Sequence, residues 1–199
     1  MKNARFSFDK IIRDRGKYIE AIKRPLFTTG NKETDMRDWF KKLTKRLDII
    51  REKQKKLFFI GNGASCSIAS HFAADFTKRA GIPSFANNDG TLLTCYSNDI
   101  SFEKAYAEIL KNTMGEGDGL FVISSSGESK NILNAVKSAR SMRKDILIVT
   151  FSAFSRNNPL RKTGDFNIYL AADDYGCAES SHAYYLHLLL DIFENLRKK

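Results

Sequence analysis

Cysteine is scarce in this chain of 199 residues, and the three that occur lie far apart. Cys66, Cys95 and Cys177 are odd in number and form no Cys-x-x-Cys pair, which excludes a disulfide framework. Nothing in the sequence resembles a zinc finger. The cysteine usage therefore predicts a protein of a reducing compartment.

Long apolar runs are also absent. No run approaches the ~20 residues that span a bilayer, and charges throughout the first thirty residues leave no apolar signal core. Three prolines and twelve glycines leave no room for a long disordered linker. We therefore expect a cytoplasmic protein with no membrane partner.

Basic residues outnumber acidic ones, and the formal net charge is +10. They cluster over residues 41–56 and 197–199, where they alternate with apolar residues at helical spacing. This spacing favours a solvated helix face over a nucleic-acid patch, and no RNA-recognition signature is present. The excess of cations suits a small anionic ligand, and we do not expect nucleic acid as a partner.

The order of apolar patterns predicts an α/β fold, and the length suits one domain. Residues 1–56 are predicted to be a helical segment, with 28–31 as a loop. From residue 57 to 199, short apolar runs alternate with helical patterns, which predicts a doubly wound, flavodoxin-like parallel sheet flanked by helices. The predicted strands cover 57–60, 83–86, 119–123, 145–150 and 166–170, and the predicted helices cover 65–79, 101–112 (capped by Ser101), 130–143 and 178–196.

Two predicted strand-to-helix loops are candidates for phosphate binding. They are 61–65, Gly-Asn-Gly-Ala-Ser, and 124–129, Ser-Ser-Ser-Gly-Glu-Ser. Helix N-termini present unpaired N–H groups to anions, and serine hydroxyls add donors without bulk. A single serine that caps a helix is routine, but four in six residues around a glycine favour a phosphate monoester. The second loop has no P-loop lysine and the first only half-matches a dinucleotide fingerprint, so no nucleotide cofactor is expected.

Two histidines and two carboxylates have spacings that allow a divalent metal site. His71 and Asp75 are four residues apart on one predicted helix, and Glu179 and His187 are eight apart on another. Each pair therefore shares a helix face. From spacing alone, a capped or core histidine at 71 and a solvated carboxylate at 75 are favoured over a metal site. His182 does not share a face with His187, and we expect it at a subunit interface or in a structural hydrogen bond.

Four features occur in this order along the chain: Gly-Asn-Gly-x-Ser, His-Phe-Ala-x-acid, Ile-Ser-x-Ser-Gly-x-Ser and a terminal helix with paired histidines. Together they resemble the SIS (sugar isomerase) domain family. Within it, the chain most resembles the phosphoheptose isomerases, from about Trp39 to the C-terminus. The resemblance implies an aldose–ketose isomerase that converts sedoheptulose 7-phosphate, and typically a homotetramer with sites shared between subunits. The family also includes regulators that only bind sugar phosphates and partners of replication initiators, which remain alternatives.

The resemblance also implies roles for individual positions. The implied phosphate-binding residues are Ser65, Ser124, Ser126 and Ser129, the implied substrate contacts are Asn62, Arg79, Asp99 and Ser125, and the implied ligands of one zinc per subunit are His71, Asp75, Glu179 and His187. Asp75 falls on the catalytic base and His187 on the catalytic acid.

Three positions depart from the family pattern. Asp75 stands where Glu is usual, Glu179 where Gln is usual, and Gly176 where an acidic substrate contact is expected. A carboxylate one methylene shorter is displaced by more than an angstrom, and a displaced base is costly. Glu179 adds a negative charge and is a second candidate for the base. These departures leave the exact ketose phosphate open.

Overall fold

The computed structural model describes residues 7–142 and 145–197. Within these residues, seven strands form one sheet and seven α-helices lie around it. The strands are β1 (Leu26–Thr29), β2 (Lys32–Glu33), β3 (Leu57–Gly61), β4 (Ser84–Ala86), β5 (Gly119–Ser124), β6 (Leu147–Ala153) and β7 (Phe166–Leu170). The helices are α1 (Phe8–Lys23), α2 (Met36–Glu52), α3 (Ala64–Asp75), α4 (Gly90–Asp99), α5 (Phe102–Thr113), α6 (Lys130–Met142) and α7 (Tyr175–Arg197).

The central strands are parallel, as predicted. The sheet order is β2-β1-β7-β6-β5-β3-β4, and β4, β3, β5, β6 and β7 run in one direction. β3 and β5 are buried along their whole length, because helices cover both faces of the sheet. The chain leaves β3 towards one edge and β5 towards the other, so a crevice opens where these two neighbours end.

One edge of the sheet is antiparallel, which the sequence did not predict. Residues 28–31, expected as a loop in a helical segment, lie in a hairpin: Thr28 and Thr29 end β1, residues 30–31 form the turn, and β1 pairs antiparallel with β2 and with β7. The indole Nε1 of Trp39 donates to the carbonyl of Thr28 at 3.0 Å, and this bond fixes α2 against the hairpin. The sheet thus takes strands from both sides of the predicted boundary at residues 56 and 57.

The helices differ from the predictions in three places. α4 was not predicted, and it buries none of its side chains. Ser101 occupies the N-cap position of α5, as predicted, but among the described residues its side chain makes no capping hydrogen bond. α3 continues beyond Asp75 as a π-helical turn, Phe76–Ala80. Residues 1–6 of the predicted N-terminal segment, the predicted helix end at Arg143 and the basic residues 198–199 lie outside the described residues.

Alternate side chains of each central strand enter two separate apolar cores. Phe59 and Phe121 stack at 4.7 Å between ring centroids in the core under α2, α3 and α7. Phe58 and Leu120 point the other way, into the core under α5 and α6. Within the described part of the chain, no helix is long and apolar enough to cross a membrane. The burial of both faces makes the sheet a rigid base for the loops at its carboxyl edge.

Candidate functional site

A small polar pocket lies at the carboxyl edge of the sheet, in the crevice between β3 and β5. Its volume is about 120 Å³, and its walls come from the loop after β3, the loop after β5 and the first turns of α7. The lining residues are Asn62, Ser65, Ser124, Ser125, Ser126, Ser129, Tyr175 and Glu179. We call this cavity the serine pocket. The N-terminal ends of α3 and α6 border it, so backbone N–H groups add to the hydroxyl donors.

The first loop is held from two sides by buried side chains. The hydroxyl of Tyr106 donates to the carbonyl of Gly61 at 2.7 Å, and burial raises the pKa of Tyr106 well above its ordinary value. Gly61 must lack a side chain, because a Cβ there would lie 2.6 Å from the backbone of Ser65. Asn62 exchanges side-chain hydrogen bonds of 2.9 and 2.8 Å with Asn131. The carboxamide of Asn62, a predicted substrate contact, is therefore engaged within the protein.

The serines of the second loop differ in what their hydroxyls contact. Ser124 Oγ accepts from the N–H of Gly127 at 3.3 Å, and Ser126 Oγ accepts from the N–H of Glu128 at 3.2 Å. Ser125 is 5% exposed, and its Oγ has no hydrogen-bond partner among the residues that the structure describes. A buried hydroxyl without a partner is costly in a folded protein, so Ser125 is a donor available to a ligand in the pocket.

The structure brings three of the four predicted metal ligands together. Ligand atoms of His71, Asp75 and His187 all lie within 4.8 Å of one another. His71 Nε2 is 3.7 Å from Asp75 Oδ2, and the rings of His71 and His187 are 5.3 Å apart between centroids. Two imidazoles and one carboxylate are a donor set that suits zinc and leave a position open for substrate. The residues present therefore fit the metal.

Glu179, the fourth predicted ligand, is not in this three-residue cluster. It lines the serine pocket instead, beside Tyr175. It precedes His187 by eight residues on α7, a rise of about 12 Å. The carboxylate of Glu179 is therefore placed to contact a ligand in the serine pocket.

Arg79 and Asp99, two predicted substrate contacts, lie away from the serine pocket. Arg79 donates to Glu194 and Asp191 on α7 at 2.8 and 2.6 Å, and these bonds raise its pKa further above the ordinary value. Its Nη1 is also 3.7 Å from Asp75 Oδ2, so it borders the metal cluster. Asp99 is exposed at the end of α4, where it accepts from Asn98 at 2.9 Å.

His182 is completely buried within the chain, which contradicts its expected place at a subunit interface. The backbone of Ser152 is a polar neighbour of the ring, but within the described part of the chain neither ring nitrogen has a hydrogen bond of good geometry, so the alternative expectation of a structural hydrogen bond is met only in part. Burial, only partly offset by the nearby backbone of Ser152, lowers the pKa of His182 to about 4. The imidazole is therefore neutral and packs as an apolar ring against Phe151 at 6.0 Å.

Sequence reasoning missed Tyr106, Asn131 and Tyr175, although each touches the site. Tyr106 lies 45 residues from the carbonyl it holds, and Asn131 lies 69 residues from Asn62. No local motif connects such positions. The only available signal for Tyr175 was its place just before the predicted terminal helix.

Comparisons with known proteins agree with this architecture. The SIS domain family matches residues 29–150. A phosphoheptose isomerase from Helicobacter pylori is 33% identical over 150 residues, 72% of this chain and 76% of that protein. One from Coxiella burnetii is 25% identical over 199 residues, 97% of this chain and 93% of that protein.

A solved structure extends the likeness to three dimensions. The phosphoheptose isomerase from Francisella tularensis superposes with a TM-score of 0.80 at 25% identity, and the match covers 96% of this chain and 100% of that one. The predicted fold and family are both confirmed. The chain therefore belongs to the SIS domain family and, within it, to the phosphoheptose isomerases, which are sugar-phosphate isomerases.

Proposed function

We propose that this enzyme converts sedoheptulose 7-phosphate to D-glycero-D-manno-heptose 7-phosphate, for heptose biosynthesis in surface polysaccharide assembly. One observation carries the proposal: the helices α3 and α7 supply both the serine pocket and the metal cluster. On α3, Ser65 precedes His71 by a rise of about 9 Å, and on α7 Glu179 precedes His187 by about 12 Å. This separation suits an extended sugar with its phosphate at one end and its carbonyl at the other.

The phosphate binds in the serine pocket. Ser65, Ser124, Ser126 and Ser129 surround it, and the free hydroxyl of Ser125 gives a further donor. Two bordering helix N-termini add partial positive charge. The binding energy of this remote, non-reacting group holds the reacting carbons against the cluster.

The isomerisation needs one base and one acid near C1 and C2. A carboxylate takes the proton from C1, which leaves an enediolate, and His187 moves a proton between the two oxygens or returns one to C2. The proton added at C2 balances the proton removed from C1, so the reaction needs no redox cofactor. The substrate only changes the position of its carbonyl.

Asp75 and Glu179 are the two candidates for the base. The geometry favours Asp75, because it shares the cluster with His71 and His187, whereas Glu179 lines the phosphate-binding end. Nitrogens of His71 and Arg79 both lie 3.7 Å from Asp75 Oδ2, so these two side chains help to position the carboxylate in the cluster. Glu179 becomes the base if the sugar binds with its carbonyl in the serine pocket.

One zinc ion per subunit is the proposed cofactor. His71, Asp75 and His187 would hold it, with Glu179 as a candidate fourth ligand. When bound, zinc supplies Lewis acidity that stabilises negative charge on a substrate oxygen. Two contacts hold these three side chains close together: the rings of His71 and His187 meet, and His71 Nε2 is 3.7 Å from Asp75 Oδ2.

The N-terminal segment 1–56 is proposed to pack both on the domain and in a homotetramer. Apolar side chains on α1 are exposed in the single chain: Phe8, Ile11, Ile12 and Ile19. Such an exposed apolar face is characteristic of an interface. An Ile12→Glu variant should therefore be smaller than the wild type by light scattering, and an unchanged mass would contradict this arrangement.

The function is tested by comparing Asp75→Asn and Glu179→Gln with the wild type on sedoheptulose 7-phosphate. We expect the first variant to lose about 100-fold or more in kcat, within the range for a general base, and the second to change mainly KM. Glu128 is an exposed carboxylate in the loop 124–129, and Glu128→Gln is the matched control. The reverse pattern would assign the base to Glu179. Wild-type protein without turnover would contradict the function itself.

A further inference from the structure

Asn158, which follows β6, fills the space directly beneath the serine loop 124–129. It is 1% exposed. A Cβ placed on Gly127 would lie 2.1 Å from Asn158 Oδ1, so the carboxamide occupies the position of the missing side chain. Gly127 also has a left-handed backbone with φ of 65°. The turn of the serine loop therefore needs glycine for two reasons, and Asn158 is the side chain against which the turn is seated.

The orientation of the Asn158 carboxamide is fixed by its hydrogen bonds. Its Nδ2 donates to the carbonyl of Ser155 at 2.8 Å, to Ser152 Oγ at 3.2 Å and to the carbonyl of Ala153 at 3.3 Å. Its Oδ1 accepts from the N–H of Arg161 at 3.1 Å. The Nδ2 faces three acceptors and the Oδ1 faces a donor. A flip of the carboxamide that exchanges Nδ2 and Oδ1 would therefore lose all of these hydrogen bonds.

Backbone hydrogen bonds join the segment around Asn158 to the serine loop. The N–H of Leu160 donates to the carbonyl of Gly127 at 3.2 Å, and the N–H of Ala153 donates to the carbonyl of Ser125 at 2.9 Å. The two loops therefore form one unit, and Asn158 lies at its centre without lining the pocket.

We propose that Asn158 is a positioning residue that holds the serine loop in the conformation that receives the substrate's phosphate. The inference rests on the proposed phosphate role of the serine pocket. The turn at Gly127 sets where the hydroxyls of Ser124 and Ser126 lie, since each accepts from an N–H of that turn. Without the buried amide the turn relaxes, and an angstrom of displacement in a binding group is costly.

Three variants test this role: Asn158→Ala, Asn158→Asp and, as the matched control, the exposed neighbour Asn157→Ala. Inorganic phosphate is the probe, and its affinity is measured by calorimetry at a temperature where circular dichroism shows each variant folded. Hydrogen exchange over residues 125–129 reports loop order separately from global stability. The kinetics of sedoheptulose 7-phosphate then give KM and kcat for each variant.

We expect Asn158→Ala to weaken phosphate binding about tenfold to 100-fold, in line with the cost of small displacements. Exchange should rise in residues 125–129 and not in residues 119–123 of β5, and KM should rise more than kcat falls. Asn157→Ala should stay within about twofold of the wild type, as surface substitutions usually do.

Asn158→Asp keeps the shape of the side chain. It replaces the donor Nδ2 with a carboxylate oxygen, which cannot donate to the three acceptor oxygens around it. Its phosphate affinity should be low at neutral pH and should approach the wild-type value as the pH falls, because the protonated acid can again donate to one of them. This recovery distinguishes an oriented donor from a residue that only fills space.

Wild-type phosphate affinity in a folded Asn158→Ala variant would overturn the inference, and so would equal effects of Asn157→Ala. A wild-type protein that binds no phosphate would overturn it as well. If the wild type binds phosphate but does not turn over sedoheptulose 7-phosphate, the proposed function fails while the phosphate measurements still decide the role of Asn158.

Discussion

Asn62 and Asn131 exchange two side-chain hydrogen bonds, of 2.9 and 2.8 Å, across the mouth of the crevice between β3 and β5. This reciprocal pair joins the loop after β3 to the first turn of α6. Asn131 is 3% exposed, and its Oδ1 also accepts from the N–H of Ile132 at 3.0 Å. The loop after β3 and the helix that follows the serine loop are therefore connected to each other in the free protein.

Loss of this pair should loosen the pocket. Asn131→Ala should lower the free energy of unfolding by about 1 kcal/mol or more, because the buried carboxamide bonds are lost. It should also raise KM for the sugar phosphate. Lys137→Ala, an exposed position on the same helix, is the control for chemical denaturation. Equal stability of the two variants would show that the pair contributes nothing.

Ser125→Ala should have opposite effects on the free and the ligand-bound protein. In the free protein it removes a buried hydroxyl with no partner, so the free energy of unfolding should be unchanged or rise by up to about 1 kcal/mol. With phosphate present, the rise in Tm seen for the wild type should shrink. Thermal unfolding with and without phosphate measures both effects, with the exposed Ser67→Ala as control. A full phosphate-induced rise in Tm would show that Ser125 does not contact the ligand.

His182 should make the protein less stable in mild acid. Its pKa is about 4 in the folded chain, below its ordinary value of about 6.5. Between these two values the unfolded chain binds the extra proton, so the free energy of unfolding falls as the pH decreases through this window. The loss should reach about 3 kcal/mol near pH 4.

His182→Leu should remove this dependence while the stability near pH 7 changes little, since neither ring nitrogen makes a hydrogen bond of good geometry to a described residue. Urea unfolding of both proteins at pH 7 and pH 5 measures it. If the two proteins lose the same stability between these pH values, His182 does not titrate as described.

Arg79→Gln should destabilise the fold by about 1 kcal/mol or more, because two carboxylates on α7 lose their half-buried partner. Arg156 gives the matched control: its pair with Glu33 is mostly exposed, so Arg156→Gln should change stability by less than about 0.5 kcal/mol. Urea unfolding compares them. Equal losses for the two arginines would mean that burial of the Arg79 network adds nothing.

Zinc should bind at one ion per chain and depend on the cluster. His71→Ala and His187→Ala should each lose the ion after dialysis, as measured by mass spectrometry of the metal content. Cys95→Ser removes an exposed thiol and should retain it. Zinc that survives both histidine substitutions would place the metal elsewhere. Glu179→Gln should lower the zinc content only if Glu179 is a fourth ligand.

The parts of the fold that have a local signal were predictable. The buried strands β3 and β5 are continuous apolar runs, and the serine loop lies between a strand and a helix, so sequence order placed it at the carboxyl edge. His71 and Asp75 share a face because they are four residues apart. These relationships depend only on neighbours in the chain.

What was missed depends on contacts between distant residues. β1 is four residues long and is a strand because it pairs with β7, which no local pattern of Thr28 and Thr29 indicates. α4 buries no side chain and therefore lacks the apolar period that marks a helix. Arg79 could not be assigned to Glu194 by spacing, since 115 residues separate them.

The most direct test of the account follows sedoheptulose 7-phosphate by proton NMR in deuterated buffer, with the zinc-loaded enzyme. We expect an aldoheptose 7-phosphate that carries deuterium at C2, because the proton added at C2 comes from an acid that exchanges with solvent. The same sample with His187→Ala should form little product. No aldoheptose phosphate above the protein-free rate would contradict the assignment of this chain as a working isomerase.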